Sequence, residues 1–224
     1  MMVKTFFELR GCQRHHFRHH VWKVYMHLLV ITGFLGSGKT TLLLRLAELA
    51  RGGDCKVAIL VNEIGEIGID NQLMRRLGHN VWELLGGCIC CSLAGDVIGT
   101  LEKVKADFDP DVVLLEPTGA ADPRNLMTVL NKYHGMYFKS LTRVALLDPL
   151  RLAMLMTVLS PLITTTVQQA DLVLINKSDA ASPEEMAFAF EMISRLSPSV
   201  PVDTLCARDA IDPRIKRRLL PWML

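Results

Sequence analysis

The sequence lacks a strong charge of either sign, a long apolar stretch and any internal repeat or low-complexity linker. Its 224 residues carry 25 Lys and Arg against 23 Asp and Glu, for a net charge of +2. This near balance gives no support for a general nucleic-acid or membrane-surface binder, so we expect neither partner. No continuous apolar stretch reaches eighteen residues, and we therefore expect no membrane span.

The first 26 residues lack the uninterrupted apolar core of a secretion signal, so we expect a cytoplasmic protein. They are basic, and they hold four of the seven histidines, His15, His16, His19 and His20. A disordered leader or a mistaken upstream start explains such a segment. The alternative is a histidine-rich arm that gathers metal ions, because pairs of imidazole groups bind zinc, nickel or copper.

From residue 27 onward, short apolar runs alternate with helical patterns. Half of all residues are hydrophobic and 21% are charged, as in ordinary globular domains. Continuous Val, Ile and Leu runs separated by helices are typical of a parallel sheet that is covered on both faces. We therefore predict one α/β domain over residues 27–224. The predicted strands are residues 27–32, 56–62, 81–85, 111–115, 143–147, 171–175 and 200–205.

A glycine-rich loop follows the first predicted strand and precedes a helical pattern. It runs Gly33-Phe34-Leu35-Gly36-Ser37-Gly38-Lys39-Thr40 and fits the phosphate-binding pattern G-x-x-x-x-G-K-[ST]. Its backbone N–H groups can point at phosphate oxygens, and the helix N-terminus adds partial positive charge. Lys39 is expected to reach the β and γ phosphates, and Thr40 to ligate Mg²⁺. This is the phosphate site of a P-loop NTPase, with nucleotide contacts expected at Gly33, Gly36, Ser37, Gly38, Lys39, Thr40 and Thr41.

The nucleotide base is expected to bind to Asn176-Lys177-Ser178-Asp179, a segment directly after a late predicted strand. A carboxylate at Asp179 can accept hydrogen bonds from guanine N1–H and the 2-amino group, whereas adenine presents no such pair of donors. Asn176 is expected to bind either the base edge or the phosphate loop, and the stem of Lys177 to lie over the ring. A backbone N–H of residues 206–208 is expected to donate to guanine O6.

Two acidic segments follow other predicted strands. Glu116 is expected to hold Mg²⁺ through water or to orient the attacking water, and Gly119 to turn its N–H toward the γ-phosphate. We predict that Lys39, Glu116 and Gly119 are the catalytic residues. In residues 62–70, Glu63 is the best candidate for a carboxylate near the metal. The alternatives are a simple strand-to-helix turn for the first segment and a solvated acidic loop for the second.

Three cysteines, Cys88, Cys90 and Cys91, fall within four residues after two glycines. Thiols this close can converge on one soft or borderline metal ion such as Zn²⁺, with a fourth ligand from water, a partner residue or a transferred chelate. The alternative is three small apolar residues buried in a core. An incomplete ligand set suits delivery of a metal better than permanent storage.

Taken together, GFLGSGKT, NEIGEIGID, GGCICC, EPTGAADP and NKSD resemble, in this order, the CobW-like GTPases. These belong with UreG and HypB to the SIMIBI class of P-loop proteins. The resemblance spans residues 28–208. It implies GTP hydrolysis coupled to insertion or trafficking of Zn²⁺, Co²⁺ or Ni²⁺, with the transferred ion on Cys88, Cys90 and Cys91.

The implied partners are a client metalloprotein or a cofactor-synthesis enzyme, and a second copy of the chain in a GTP-dependent homodimer. Most members of the family continue into a C-terminal domain, whereas this sequence stops at Leu224. We therefore expect a GTPase-only member or one that pairs with a separate chain. Hydrolysis is expected to be slow without a partner, since the two acidic segments near the phosphates show no arginine finger or water-positioning glutamine.

Two other functions remain open at this point. The first is a GTP-switched chaperone for a cofactor-dependent enzyme, in which the thiols only sense metal or hold a structural ion. The second is a metal-binding regulatory protein with negligible turnover.

Overall fold

The computed structural model describes residues 26–61, 80–83, 93–117, 123–133 and 138–221. Within these ranges the strands are β1 (Met26–Gly33), β2 (Val57–Val61), β3 (Asn80–Glu83), β4 (Val112–Glu116), β5 (Phe138–Leu147), β6 (Leu172–Ile175) and β7 (Val202–Thr204). The helices are α1 (Lys39–Arg51), α2 (Leu93–Phe108), α3 (Pro123–Tyr133), α4 (Pro149–Gln168), α5 (Pro183–Leu196) and α6 (Pro213–Leu219).

The seven described strands form one sheet in the order β3-β2-β4-β1-β5-β6-β7, and every neighbouring pair is parallel. The predicted α/β fold is confirmed, and each predicted strand is present. Strand β5 begins at Phe138, five residues before its predicted start at Arg143. After the buried Phe138, residues 139–143 are mostly polar and not fully buried, so this part of β5 lacks the apolar run that marks the other strands.

Helices cover both faces of the sheet, because alternate residues of each strand point to opposite sides. On one face, α1 and α6 pack on residues such as Leu29 and Leu146. On the other face, α2 and α3 pack on residues such as Leu28, and α4 and α5 pack on Leu147 and Val173. Strands buried on both sides have continuous apolar runs, which is why the sequence pattern reveals them.

Helix α1 begins at Lys39, within the last two residues of the glycine loop, and ends at Arg51. Gly52 is the C-cap, and its N–H donates to the carbonyl oxygen of Glu48 at 3.0 Å. Gly52 has a right-handed conformation, whereas Asp54 has the positive φ of 58° that turns the chain. A short polar side chain tolerates this conformation, so Asp54, and not Gly52, makes the turn that follows α1.

Helix α4 is the one helix of the described segments that is long and apolar enough to cross a membrane, with a mean hydropathy of 1.5. Of that eighteen-residue window, 22% is buried inside the protein. Leu152, Ile163 and Val167 pack on β5, β6 and α5, and the helix is kinked at Leu159, two residues before Pro161. A helix that covers a sheet passes the same length and composition test, so this is weak evidence for a membrane span.

Candidate nucleotide-binding site

The predicted site residues gather at one edge of the sheet, where parallel strands place all their carboxyl ends. The glycine loop follows β1, Glu116 ends β4, and Asn176 follows β6. Strands β4 and β5 lie on opposite sides of β1. The connection after β1 runs to β2 on one side, whereas the connection after β4 crosses to β5 on the other side, so the direction of the connections reverses at this point. Ligands of open α/β sheets bind at the carboxyl ends of the strands near such a point.

The glycine loop has a backbone that a side chain would block at two positions. Gly33 and Gly38 have φ values of +154° and +95°. A Cβ atom at Gly33 would overlap the carbonyl oxygen of Leu146, and one at Gly38 would overlap Nδ2 of Asn176. The loop therefore needs glycine because β5 and the residue after β6 press against its backbone.

The hydroxyl of Ser37 is an unpaired polar group inside this loop. Ser37 is 2% exposed, and within the described chain its Oγ has no hydrogen-bond partner. Buried hydroxyl groups are normally bonded, so this one fits a ligand that brings its own acceptor. A phosphate oxygen is such an acceptor, and the loop fits a nucleotide phosphate on this ground.

Lys39 and Thr40 meet Glu116 across the start of α1. The ammonium of Lys39 lies 3.6 Å from Oε1 of Glu116 and donates to the carbonyl oxygen of Phe34 at 3.2 Å. The hydroxyl of Thr40 donates to Oε2 of Glu116 at 3.3 Å. Lys39 is 7% exposed, so its charge is held at the loop by acceptors on two sides. The predicted proximity of these three residues is therefore found in the structure.

Thr40 and Glu116 also fit a magnesium ion. Their two oxygens are 3.3 Å apart. Neighbouring ligands of an octahedral Mg²⁺ at 2.0–2.1 Å lie about 2.9 Å from each other, so a small shift brings both oxygens into range. Hydroxyl and carboxylate oxygens are also the hard donors that Mg²⁺ selects.

Asn176 joins three parts of the site through its buried side chain. It is 3% exposed, its Nδ2 donates to the carbonyl oxygen of Ser37 at 2.7 Å, and its Oδ1 accepts from the N–H of Ala207 at 2.9 Å. Of its two predicted roles, the structure shows contact with the phosphate loop. The N–H of Ala207 donates to Asn176 in this structure, and the contact expected between residues 206–208 and guanine O6 stays a prediction.

Lys177 has its ammonium bound to a carboxylate that the sequence analysis missed. Its Nζ donates to Oδ2 of Asp148 at 2.7 Å, and the Asp148 side chain is 3% exposed. Asp148 follows β5 and caps α4, with Oδ1 accepting from the N–H of Leu150 at 3.2 Å. The sequence Asp148-Pro149 does signal a helix start. Only the sheet order places that helix start beside Lys177.

Arg151, in the first turn of α4, is a second residue that the sequence analysis missed. Its Nη1 donates to the carbonyl oxygen of Leu35 at 2.9 Å. The Leu35 side chain is 85% exposed, so its backbone is held while its side chain faces solvent. Arg151 on α4 and Asn176 after β6 thus both support the phosphate loop.

Asp179 lies exposed at the end of the base loop, where a carboxylate can meet an incoming base. Its neighbour is the thiol of Cys206. A hydrogen bond from the N–H of Arg208 favours the Cys206 thiolate, but desolvation and hydrogen bonds with Asp179 and Asp209 outweigh it and raise the pKa of Cys206. A protonated thiol is a poor nucleophile, so Cys206 fits a neutral neighbour of the base better than a reactive group.

Five predicted site residues lie outside the described residues, namely Gly119, Glu63, Cys88, Cys90 and Cys91, and so does the segment that holds His15, His16, His19 and His20. Their roles stay predictions. Among the residues that are described, no group of three or more His, Cys, Asp or Glu side chains is arranged to hold a metal ion.

We predict that Asn176→Ala destabilises the protein by about 2 kcal/mol or more, because two buried backbone groups lose their partner at about 1–3 kcal/mol each. These groups are the carbonyl oxygen of Ser37 and the N–H of Ala207. Urea denaturation measures the free energy of unfolding. Thr166→Val is the matched control, since Thr166 is also buried but bonds to a carbonyl within α4, and it should cost less than about 1 kcal/mol. Equal losses in the two variants would contradict the role assigned to Asn176.

Because the glycine loop joins β1 to α1 at the carboxyl edge of a parallel sheet, the protein is a P-loop nucleotide-binding protein. The family model for the CobW/HypB/UreG nucleotide-binding domain matches residues 27–203. The chain therefore belongs to the CobW/HypB/UreG family, which confirms the resemblance seen in its motifs.

Two relatives from Escherichia coli (strain K12) are named as zinc chaperones. YeiR is 35% identical over 156 residues, covering 69% of this chain and 47% of YeiR. YjiA is 31% identical over 189 residues, covering 80% of this chain and 57% of YjiA. The chain thus spans about half the length of these relatives.

A solved structure with the same fold is the hydrogenase maturation factor HypB from Archaeoglobus fulgidus. It matches with a TM-score of 0.59 and covers 89% of this chain and 88% of HypB. Its sequence identity of 19% means that this likeness concerns the fold alone.

Proposed function

We propose that this chain is a GTPase that couples GTP binding and hydrolysis to delivery of Zn²⁺ to a client metalloprotein or cofactor-synthesis enzyme. Co²⁺ and Ni²⁺ are the other cargo ions to be tested. The observation that carries the proposal is the side chain of Asn176, which joins the phosphate loop and the residues after β7 in one buried cluster. This cluster supports the proposal that phosphate and guanine are recognised at adjacent points of the same edge.

The phosphate side of the proposed reaction is assigned to residues that the structure brings together. Lys39 would hold the β and γ phosphates, and the unpaired hydroxyl of Ser37 would donate to a phosphate oxygen. Thr40 and Glu116 would hold Mg²⁺. When bound, this ion neutralises negative charge on the phosphate oxygens. Hydrolysis is expected to be slow until a partner completes the site.

The metal side of the proposal rests on the cysteine motif and on the names of the relatives. Cys88, Cys90 and Cys91 would bind the cargo ion as thiolates, which are soft ligands suited to Zn²⁺. YeiR and YjiA are both named zinc chaperones. Free thiols persist in a reducing compartment, and we propose the cytoplasm as the place of action.

The proposed partners are the client metalloprotein or enzyme and a second copy of this chain in the GTP-bound state. Exposed apolar side chains near the nucleotide edge support an association that responds to nucleotide. Leu35 lies in the phosphate loop itself, and Leu150, Met154 and Val158 share one exposed face of α4.

We predict that a non-hydrolysable GTP analogue changes the affinity for Zn²⁺ by about 5- to 150-fold, the usual range for coupled sites. Isothermal titration calorimetry with Zn²⁺, Co²⁺ and Ni²⁺, each with and without the analogue, measures this coupling. Unchanged metal affinity would reject the delivery cycle. It would leave a sensing or structural metal site as the explanation of the thiols.

Cys90→Ser combined with Cys91→Ser tests the same proposal at the metal. Zn²⁺ affinity should fall by about 10²-fold or more, since even residues that only support metal ligands change affinity 10–100-fold. Affinity for GTP alone should persist. Cys55→Ser is the control, because Cys55 is a free thiol at the far end of α1 and should leave Zn²⁺ affinity unchanged. Loss of GTP binding together with Zn²⁺ binding would indicate a structural metal ion.

A further inference from the structure

The stretch in which residues 144–147 of β5 pair with β6 has an ion pair at each end, and only one of these ion pairs lies at the nucleotide edge. At the amino end of this paired stretch, the guanidinium of Arg143 binds the carboxylate of Asp171, with Nε to Oδ2 at 2.9 Å. At the carboxyl ends, Lys177 binds Asp148 at 2.7 Å. The two pairs differ in burial. The Asp171 side chain is 37% exposed, whereas that of Asp148 is 3% exposed.

The pairing of the two strands sets the position of Asp148 against Lys177. Leu147 is opposite Ile175 in the ladder, and the N–H of Asn176 donates to the carbonyl oxygen of Leu147 at 2.8 Å. Asp148 is the next residue after Leu147 and Lys177 is the second residue after Ile175, so both lie just beyond the carboxyl end of the paired strands. Both carboxylate oxygens of Asp148 are used, one by the helix cap and one by the ammonium.

Lys177 is held in a restricted conformation, both in its backbone and in its side chain. Its φ of 60° lies in the left-handed region, which non-glycine residues rarely adopt. Its four-carbon stem would otherwise move freely, because a lysine side chain carries large rotamer entropy. The buried carboxylate of Asp148 accepts one hydrogen bond on each oxygen, and one of these comes from the ammonium of Lys177. This contact removes the freedom of the lysine side chain before any ligand binds. Groups that are ordered in advance bind more tightly, because less entropy is lost on binding.

We propose that Asp148 is the positioning residue that holds the stem of Lys177 against the plane of the guanine base. This inference rests on the proposed function, since it assumes that a guanine nucleotide occupies this edge. Asp148 touches Lys177 and the start of α4, and its effect on the nucleotide passes through Lys177. In this proposal Asp179 binds the edge of the guanine base, whereas the stem of Lys177, held by Asp148, packs on the face of the base.

The first test is Asp148→Asn, because asparagine keeps the helix cap but loses the charge that holds the ammonium. The dissociation constant for GTP should rise about tenfold, since one charge-assisted hydrogen bond holds Lys177 in place. Affinity for ITP, which lacks the 2-amino group, should fall by the same factor, because the face of the base is common to both. Asp148→Ser, which also keeps a cap but is too short for Lys177, should behave alike.

A double-mutant cycle separates positioning from a purely structural role. Once Lys177→Met has removed the ammonium, adding Asp148→Asn should change GTP affinity by less than about twofold. An unchanged tenfold loss in that background would show that Asp148 acts through the helix cap and would overturn the inference. Asp171→Asn is the matched control at the other end of the paired stretch of β5 and β6, and it should leave GTP affinity unchanged.

The outcomes also separate this inference from the proposed function. A wild-type chain that binds GTP, with an Asp148→Asn variant that binds it as tightly, contradicts the inference alone. A wild-type chain that binds no guanine nucleotide contradicts the proposed function and, with it, the inference. If Lys177→Met does not fold, because it leaves the Asp148 carboxylate buried without its cation, the comparison of Asp148→Asn, Asp148→Ser and Asp171→Asn decides the question.

Discussion

Replacing Asp179 by alanine is expected to erase the preference for GTP over ATP. The carboxylate would accept two hydrogen bonds from guanine, and bonds to a charged group contribute about 1.5–3 kcal/mol each. The preference lost is therefore about 10²- to 10⁴-fold. Because Asp179 is exposed, its loss should leave the fold intact. Calorimetric titrations of GTP and ATP into both proteins measure the change.

Asp209 offers a close control for Asp179. Both aspartates are exposed and both lie beside the thiol of Cys206. Asp209→Ala should keep the full preference for GTP, because only the Asn-Lys-Ser-Asp loop is expected to meet the base edge. An Asp179→Ala protein that still prefers GTP would show that the base is read elsewhere.

Lys39→Met is expected to lower the rate of GTP hydrolysis by about 10²- to 10³-fold, the loss typical of removing one group that stabilises a transition state. Lys39 is buried at the phosphate loop, where its charge is poorly screened. Its ammonium lies 3.6 Å from Glu116, so the variant also leaves that carboxylate without this cation. Single-turnover hydrolysis of radiolabelled GTP measures the rate, and thermal unfolding reports the loss of stability separately.

Lys103→Met, on the exposed side of α2, is the matched control and should hydrolyse GTP at the wild-type rate. A Lys39→Met protein that is folded and fully active would place the phosphate contact on another residue. A protein that loses activity only because it unfolds would be recognised by its melting temperature.

Much of the fold could be predicted because the sheet is buried on both faces. Residues such as Leu28 and Leu29 are both buried, so β1 appears in the sequence as an unbroken apolar run. The first half of β5 escaped prediction because the residues that follow Phe138 are mostly polar and only partly covered. Its pairing with β1, and not its composition, makes it a strand.

The candidate site also contains some residues that could be predicted from the sequence and others that could not. Gly33, Gly38, Lys39 and Thr40 belong to one short motif, whose function depends on local backbone geometry and therefore shows in the sequence. Arg151 and Leu35 are 116 residues apart and meet only because β5 pairs with β1. No local pattern carries that information.

The sequence by itself determined the P-loop class, the parallel α/β architecture and the preference expected for guanine, since each rests on residues close together in the chain. The tertiary structure alone decided which partners those residues have. It places Asn176 between the phosphate loop and the loop after β7, and it joins Asp148 to Lys177. The physical reason is that strand order and register, which arise from packing of the whole sheet, bring distant residues to one edge.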